Sequence, residues 1–335
     1  MEYRNFFALL GGLALFLYGM HQMSEGLNAA AGEKMKQILE RLTKNRFLGV
    51  GVGAAVTAVI QSSSATTVMV VGFVNSGMMT LRQAVWIIMG ANIGTTITGQ
   101  LIALDAGAVA PLLAFFGVVL ILFAGKDRIR YIGGIVAGLG ILFIGMDMMG
   151  EAMQPLCDSQ VFLRAMTRFE HPVLGILAGA AFTAAIQSSS ASVGILQTLA
   201  QGGAVSFAGA VYVLFGQNIG TCITAVLAAI GTGRNAKRTT IIHLSFNLIG
   251  TVVFTVLCMT TPLVSLVAQL TPGRPAAQIA NMHTIFNIGT TLLLLPAGNL
   301  LAGMAEHLLP DKKSESLAAE QRKAACKKVE DVWNS

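Results

Sequence analysis

Two stretches of this 335-residue chain set a glutamine and three consecutive serines inside otherwise apolar surroundings: Gln61-Ser62-Ser63-Ser64 and Gln187-Ser188-Ser189-Ser190. Serine hydroxyls donate to an anion or accept from a cation, and a glutamine carbonyl is a neutral, hard oxygen ligand. A lone Ser or Thr in an apolar helix commonly bonds back to the carbonyl one turn earlier. Four consecutive polar side chains cannot all face one helix groove, so that explanation fails for these runs. A broken helix would expose backbone amides and carbonyls beside them, which suit anions and small cations respectively. The two runs can therefore host both an oxyanion and Na+.

A second polar motif follows each run. Asn92-Ile93-Gly94-Thr95-Thr96 with Thr98 has its copy in Asn218-Ile219-Gly220-Thr221 with Thr224. Its glycine permits an unwound turn and its Asn and Thr side chains supply neutral oxygens, so the motif is expected to be a further helix break. The alternative is a seam of small residues where helices pack.

The elements that position these motifs are duplicated. Leu48 to Leu104 aligns without gaps on Leu174 to Ile230, with 25 identities in 57 positions at an offset of 126 residues. Gly19 to Glu25 (GMHQMSE) lies over Gly145 to Glu151 (GMDMMGE) at the same offset. A repeat therefore makes up the body of the chain. Its composition, 54% hydrophobic and 11% charged with a mean hydropathy of +0.69, is that of a multi-span α-helical membrane protein. Spans are expected at 6–23, 82–103, 108–125, 131–150, 240–261 and 278–305. The first is too long, and lacks the small-residue cleavage site, for a cleaved signal.

From Gly49 to the polar run is too short to cross the ~30 Å hydrocarbon core at ~1.5 Å per residue. Segments 47–77 and 173–203 are therefore read as re-entrant hairpins with a QSSS run at each tip. The first unit then crosses an odd number of times, which inverts the second unit relative to the first. The expected organisation is repeat 1 over 1–130, repeat 2 over 131–235, additional helices over 236–308 and a charged cytoplasmic tail over 309–335. This arrangement puts 18 of the 22 Lys and Arg residues on one side, leaving out only Arg4, Arg164, Arg168 and Arg274. By the positive-inside rule the N-terminus lies outside and the C-terminus in the cytoplasm of a cell-membrane protein. Residues 27–46 are expected to form an amphipathic helix on the inner surface.

Other chemistries find little support. The net charge of +6 sits in loops between spans, which argues against nucleic acid. Cys157, Cys222, Cys258 and Cys326 show neither disulfide nor zinc spacing. His21, Asp147, His243 and His283 lie in or near spans without metal-ligand spacing, and helix packing is the simplest reading of each. Asp147 matches His21 in the repeat, which raises the idea of a pair across the halves; Glu25 and Glu151 read as interfacial caps. A serine hydrolase on Ser63 or Ser189 would need a base that is not evident, so no enzyme is expected and no cofactor beyond Na+ as coupling ion. No Lys or Arg lies deep in a span, so a bound anion would draw its counter-charge from co-bound cations.

Paired QSSS runs, each followed by G-x-N-I-G-T, resemble the type II sodium/phosphate cotransporters, including bacterial members; the resemblance covers roughly residues 10–305. It implies Na+-dependent transport of inorganic phosphate by alternating access through an inverted-repeat core. Carried over by motif, phosphate would bind Ser62, Ser63, Ser64, Ser188, Ser189 and Ser190. Sodium would bind Gln61, Asn92, Thr95, Thr98, Gln187, Ser188, Asn218, Thr221 and Thr224. The family's H-x-x-F-N element is present as His243 to Asn247 and His283 to Asn287. In electrogenic animal relatives a carboxylate follows the histidine of the copy after the first repeat; no such copy follows the first repeat here, and Leu244 and Thr284 occupy the next position in the two that exist, leaving stoichiometry open. Sodium is expected to bind first near Gln187, Ser188 and residues 218–224. Another oxyanion as cargo and a membrane phosphate sensor stay as alternatives. A homodimer and a PhoU-like cytoplasmic domain or partner are further expectations, with the chain either a short member or a transport core.

Overall fold

The computed structural model describes residues 3–31, 45–104, 106–157, 159 and 167–310. The expected amphipathic helix over 27–46 falls mostly, and the tail beyond Pro310 entirely, outside the described residues. The described residues contain no strand. The helices are α1 (Tyr3–Ala31), α2 (Arg46–Ile60), α3 (Ser63–Asn75), α4 (Leu81–Ile102), α5 (Ala110–Phe123), α6 (Asp127–Cys157), α7 (Pro172–Ile186), α8 (Ser189–Gln201), α9 (Phe207–Gly220), α10 (Cys222–Ala228), α11 (Arg234–Thr260), α12 (Leu263–Leu270), α13 (Pro275–Leu294) and α14 (Gly298–Leu308).

Five of these stretches are long and apolar enough to cross a membrane: α1, α4, α6, α9 with α10, and α11. A sixth forms if α13 and α14 count together, although they meet at 81°. The expected straight span over 278–305 is thus bent. Pro296 lies at the break, where it can neither donate a backbone hydrogen bond nor fit within a continuing helix. The expected crossing over 108–125 is a 14-residue helix, α5, packed along α6. The chain is an all-α, multi-pass membrane protein.

Glycines set how closely the outer helices approach. On α1, a Cβ at Gly12 would come within 2.8 Å of the Gly145 carbonyl oxygen, and one at Gly19 within 2.4 Å of the Leu142 nitrogen and 2.6 Å of the Gly138 oxygen. Contacts therefore advance along α1 as they retreat along α6, so the two helices run antiparallel in backbone contact.

Two hairpin units pack inside this frame. In each, a 15-residue arm (α2 or α7) is followed after a two-residue break by a 13-residue arm (α3 or α8). All four arms are too short to span a bilayer. The first arms lie on α4 and α9 respectively. One core gathers Val56, Val70, Ile87, Ile88, Ile242 and Phe246 around α4. The other gathers Leu196, Leu214, Phe215, Met282 and Phe286 around α9, with the Phe215 and Phe286 rings stacked at 4.9 Å.

Candidate functional site

The break at each tip has the same construction. Gln61 ends α2 in the left-handed region (φ 58°, ψ 23°), and its N–H still donates to the Thr57 carbonyl at 2.7 Å. Gln187 ends α7 at φ 58°, ψ 21°, donating to Thr183 at 2.7 Å. These are the only non-glycine residues of positive φ among those described, a conformation costing roughly 1–3 kcal/mol that glycine would avoid. The next residue is extended and caps the second arm: Ser62 Oγ accepts from the Ala65 N–H at 3.1 Å, and Ser188 Oγ from Ala191 at 3.3 Å. One turn below each tip the arms are pinned together, by Thr57 to Thr66 at 2.9 Å and by Thr183 to Ser192 at 2.7 Å. The serines that follow sit in the first turn of a helix, where backbone N–H groups lack intrahelical partners.

Beyond this common backbone the tips diverge. Gln61 is 5% exposed and its Oε1 accepts from Thr98 Oγ1 at 2.7 Å. Thr95 Oγ1 donates to Ser63 Oγ at 3.1 Å. Ser190, from the other hairpin, reaches this cluster, donating at 3.5 Å to the Gln61 carbonyl and 3.4 Å to Thr98 Oγ1. Gln61, Ser63, Thr95, Thr98 and Ser190 therefore converge, with Ser62 and Ser64 half-buried beside them. In the second half Gln187 is exposed and Ser188 half-buried, while Ser189 is buried. Thr221 and Thr224 turn back to their own helix, donating to Gln217 at 2.9 Å and Thr221 at 3.0 Å. An apolar cleft of about 340 Å3 lies behind hairpin 2, bounded by Phe182, Ile195, Val213 and Gln217.

The first Asn-Ile-Gly-Thr segment is not a helix break, and the second interrupts the helix by the single residue Thr221, between α9 and α10. Leu81–Ile102 is one uninterrupted helix, Asn92 Nδ2 donates to the Ile88 carbonyl at 2.8 Å, and Thr221 keeps helical angles (φ −57°, ψ −27°). Their glycines are the packing seam. A Cβ on Gly94 would meet the Ala54 oxygen at 2.4 Å, and one on Gly220 the Ala180 oxygen at 2.4 Å. An oxygen ligand from the first motif is a side chain projected from an intact helix.

Asn218 is where residues of the H-x-x-F-N element enter. Its Nδ2 donates to the Leu214 carbonyl at 2.9 Å, which orients Oδ1 towards His283 Nε2 at 3.2 Å and Asn287 Nδ2 at 3.4 Å. Helix packing alone therefore understates His283. Gln197 escapes a reading of the sequence, because a lone glutamine has no distinguishing spacing; it ties the helices by donating to the Gly99 and Ala276 carbonyls at 3.0 and 2.9 Å. His21 pairs with Glu25 at 3.3 Å on its own helix. Asp147 instead lies against Gly107, where a Cβ would be 2.7 Å from Oδ2, so the His21 to Asp147 pair does not form.

Hydroxyls, amides and helix N-termini make up the site, and the described residues hold no cluster of three or more His, Cys, Asp or Glu fit for a transition metal. Such a set can offer hydrogen bonds to an oxyanion and neutral oxygens to a hard monovalent cation.

Comparison with known proteins agrees with this chemistry. The family model described as Na+/Pi-cotransporter matches twice, over residues 15–151 and 147–286. The chain is 34% identical over 301 residues to YqeW of Bacillus subtilis, an uncharacterised protein, covering 90% of this chain and 97% of that one. It is 29% identical over 307 residues to YjbB of Salmonella typhimurium, which carries the name of an inorganic phosphate export protein; 91% of this chain and 56% of that one are covered. Over 98 residues it is 40% identical to human sodium-dependent phosphate transport protein 2B, covering 29% of this chain and 14% of the human protein. No solved structure matches. A chain matched twice along its length by one transporter model, with relatives in bacteria and in humans, belongs to the Na+/Pi-cotransporter family.

Proposed function

We propose that the protein is a sodium-coupled symporter that moves inorganic phosphate across the cell membrane by alternating access. The observation that supports this most directly is the unequal treatment of two equivalent tips: Gln61 is sealed against Thr98 while Gln187 is exposed. A polar tip at membrane depth is tolerated where it faces water or protein, so an exposed Gln187 points to a water-filled approach on its side only. Exchange of the two environments would open the site to the other side.

An inverted relation between the halves supports that exchange. Gly12 and Gly19 of α1 correspond to Gly138 and Gly145 of α6 at the offset of 126. Gly12 meets Gly145 and Gly19 meets Gly138, the reciprocal pattern that a two-fold axis in the membrane plane produces. On this reading repeat 1 spans 1–130, repeat 2 spans 131–235, and the N-terminus faces outward.

Phosphate is assigned to Ser62, Ser63, Ser64, Ser188, Ser189 and Ser190, where the first turns of α3 and α8 add free N–H groups. Sodium is assigned to Gln61, Asn92, Thr95 and Thr98 in one half and to Gln187, Ser188, Asn218, Thr221 and Thr224 in the other. Without a cationic side chain, Na+ supplies the counter-charge. Entry of a dianion against a negative-inside potential costs ~2.3 kcal/mol per charge per 100 mV, and each Na+ returns a similar amount. Two Na+ offset a divalent phosphate, which favours uptake. The likeness to YjbB favours a second reading, efflux by the same site.

Uptake of radiolabelled phosphate into proteoliposomes, under an inward Na+ gradient against an equal K+ gradient, tests the proposal. Accumulation with Na+ alone is expected. Equal accumulation in both would reject sodium coupling, and sulfate competing as well as phosphate would reject the assigned cargo.

A further inference from the structure

The helices beyond the repeat also form a matched pair. The motif His243-x-x-Phe246-Asn247 on α11 recurs as His283-x-x-Phe286-Asn287 on α13, each residue 40 positions after its counterpart. Their surroundings match as well. Ile242 and Phe246 share a core with Ile88, and Met282 and Phe286 share one with Leu214, where Leu214 is the repeat counterpart of Ile88. Thr251 Oγ1 donates to the Phe215 carbonyl at 3.3 Å, and Thr291 Oγ1 to the Met89 carbonyl at 3.5 Å. Those carbonyls are again counterparts at the offset of 126. One symmetry therefore relates α4 to α9 and α11 to α13.

Applied to the histidines, this symmetry is incomplete. His283 Nε2 bonds Asn218 Oδ1, and because Asn218 Nδ2 is committed to the Leu214 carbonyl, that oxygen accepts and the ring nitrogen donates. The mirror bond would join His243 to Asn92. It is absent: His243 is 0% exposed, and neither Nδ1 nor Nε2 has a hydrogen-bond partner among the described residues. A fully buried imidazole with both nitrogens unpaired is costly and calls for a partner in some other arrangement. The missing bond lies in the half whose tip is sealed, and the formed bond in the half whose tip is open.

We infer that His243 and His283 are reciprocal latches: His283 holds Asn218 when hairpin 2 is open, and His243 holds Asn92 in the oppositely facing state. This rests on the alternating-access reading above and adds to it two positioning residues that touch neither phosphate nor Na+. Each closing tip would trade its partner histidine for tip contacts such as Gln61 to Thr98, keeping the polar bonding nearly balanced between the two states.

The test uses single cysteines at the matched positions Val59 and Ala185, half-buried and exposed respectively, in full-length protein with Cys222→Thr and the other cysteines changed to serine. Labelling by a membrane-impermeant maleimide is followed with His283→Phe or His243→Phe. Loss of His283 is expected to raise the Val59→Cys to Ala185→Cys labelling ratio by about 2- to 10-fold, the worth of one hydrogen bond, and loss of His243 to lower it similarly. His→Gln, which keeps an N–H donor, is expected to restore the ratio and serves if a Phe variant fails to fold. Shifts in the same direction, or no shift while Na+ and phosphate still change labelling, would overturn the latch alone. Labelling indifferent to Na+ and phosphate would overturn the transport reading beneath it.

Discussion

Hairpin 1 and hairpin 2 carry the same Gln-Ser-Ser-Ser run, break at the same dihedral angles and use the same serine cap, yet they occupy different surroundings. The first tip is bonded to α4 through Thr98 and Thr95, whereas Thr224 and Thr221 of the second half bond their own helix. Local sequence therefore sets the break, and the packing of the whole molecule sets whether a tip is sealed. Since the side chains are the same, the bonds available to each tip are nearly the same, and the energy separating the two arrangements can be small. A transporter needs that near-equality, because a deep preference for one state would stall the cycle.

Changes that act on both tips should produce the largest effects. Gln61→Ala and Gln187→Ala each remove an oxygen proposed for Na+, and a lost bond to a charged group of about 1.5–3 kcal/mol lowers apparent Na+ affinity by roughly 10- to 100-fold. Titrating uptake against Na+ checks this, and unchanged affinity in Gln187→Ala would remove hairpin 2 from the sodium site. Next come the seams, where the halves should respond alike. A Cβ at Gly90 or Gly216 would stand 2.0 Å from the facing carbonyl of Val50 or Ile176, so Gly90→Ala and Gly216→Ala should each destabilise by about 1–3 kcal/mol. Thermal unfolding in detergent would show two similar losses.

Smaller effects should separate the halves. Thr98→Val removes the donor to Gln61 Oε1 and should shift the state populations by about 0.5–1.5 kcal/mol, raising maleimide labelling of Val59→Cys. Thr224→Val, whose hydroxyl serves its own helix here, should leave Ala185→Cys labelling nearly unchanged without ligand. Equal responses would mean that the difference between the tips is not maintained by Thr98. The smallest net change is Gln61→Gly, where relief of the left-handed strain is opposed by loss of the bond from Thr98 and by the larger unfolded-state entropy of glycine; thermal unfolding should move by less than about 1 kcal/mol while sodium dependence weakens.

Much of this is legible in the sequence because it rests on local or periodic signals. Apolar lengths mark four of the five span-length stretches, missing 207–228 and including 108–125, where the helix has 14 residues; the short arms before each QSSS run mark the hairpins, and the repeat is visible from identity alone. The first Asn-Ile-Gly-Thr segment misleads because a glycine in an apolar helix marks a break or a close contact with equal ease, and only the facing Ala54 carbonyl decides; in the second, Gly220 makes the same contact with Ala180 beside the one-residue interruption at Thr221. The bend at Pro296 hides in a continuous apolar run. The inequality of Gln61 and Gln187 cannot be read at all, since two copies of one motif carry no record of which is sealed. The role of His283 is equally hidden, because its partner, Asn218, is 65 residues away in the chain.

Transport by this site requires an exchange of the sealed and open tips. That exchange is tested most directly by labelling Val59→Cys and Ala185→Cys separately with an impermeant maleimide from each side of oriented proteoliposomes, with and without Na+ and phosphate. The two sites are expected to be reached from opposite sides, with ligands changing their reactivity reciprocally, one rising as the other falls. Both sites reacting from the same side, or rising and falling together, would contradict it.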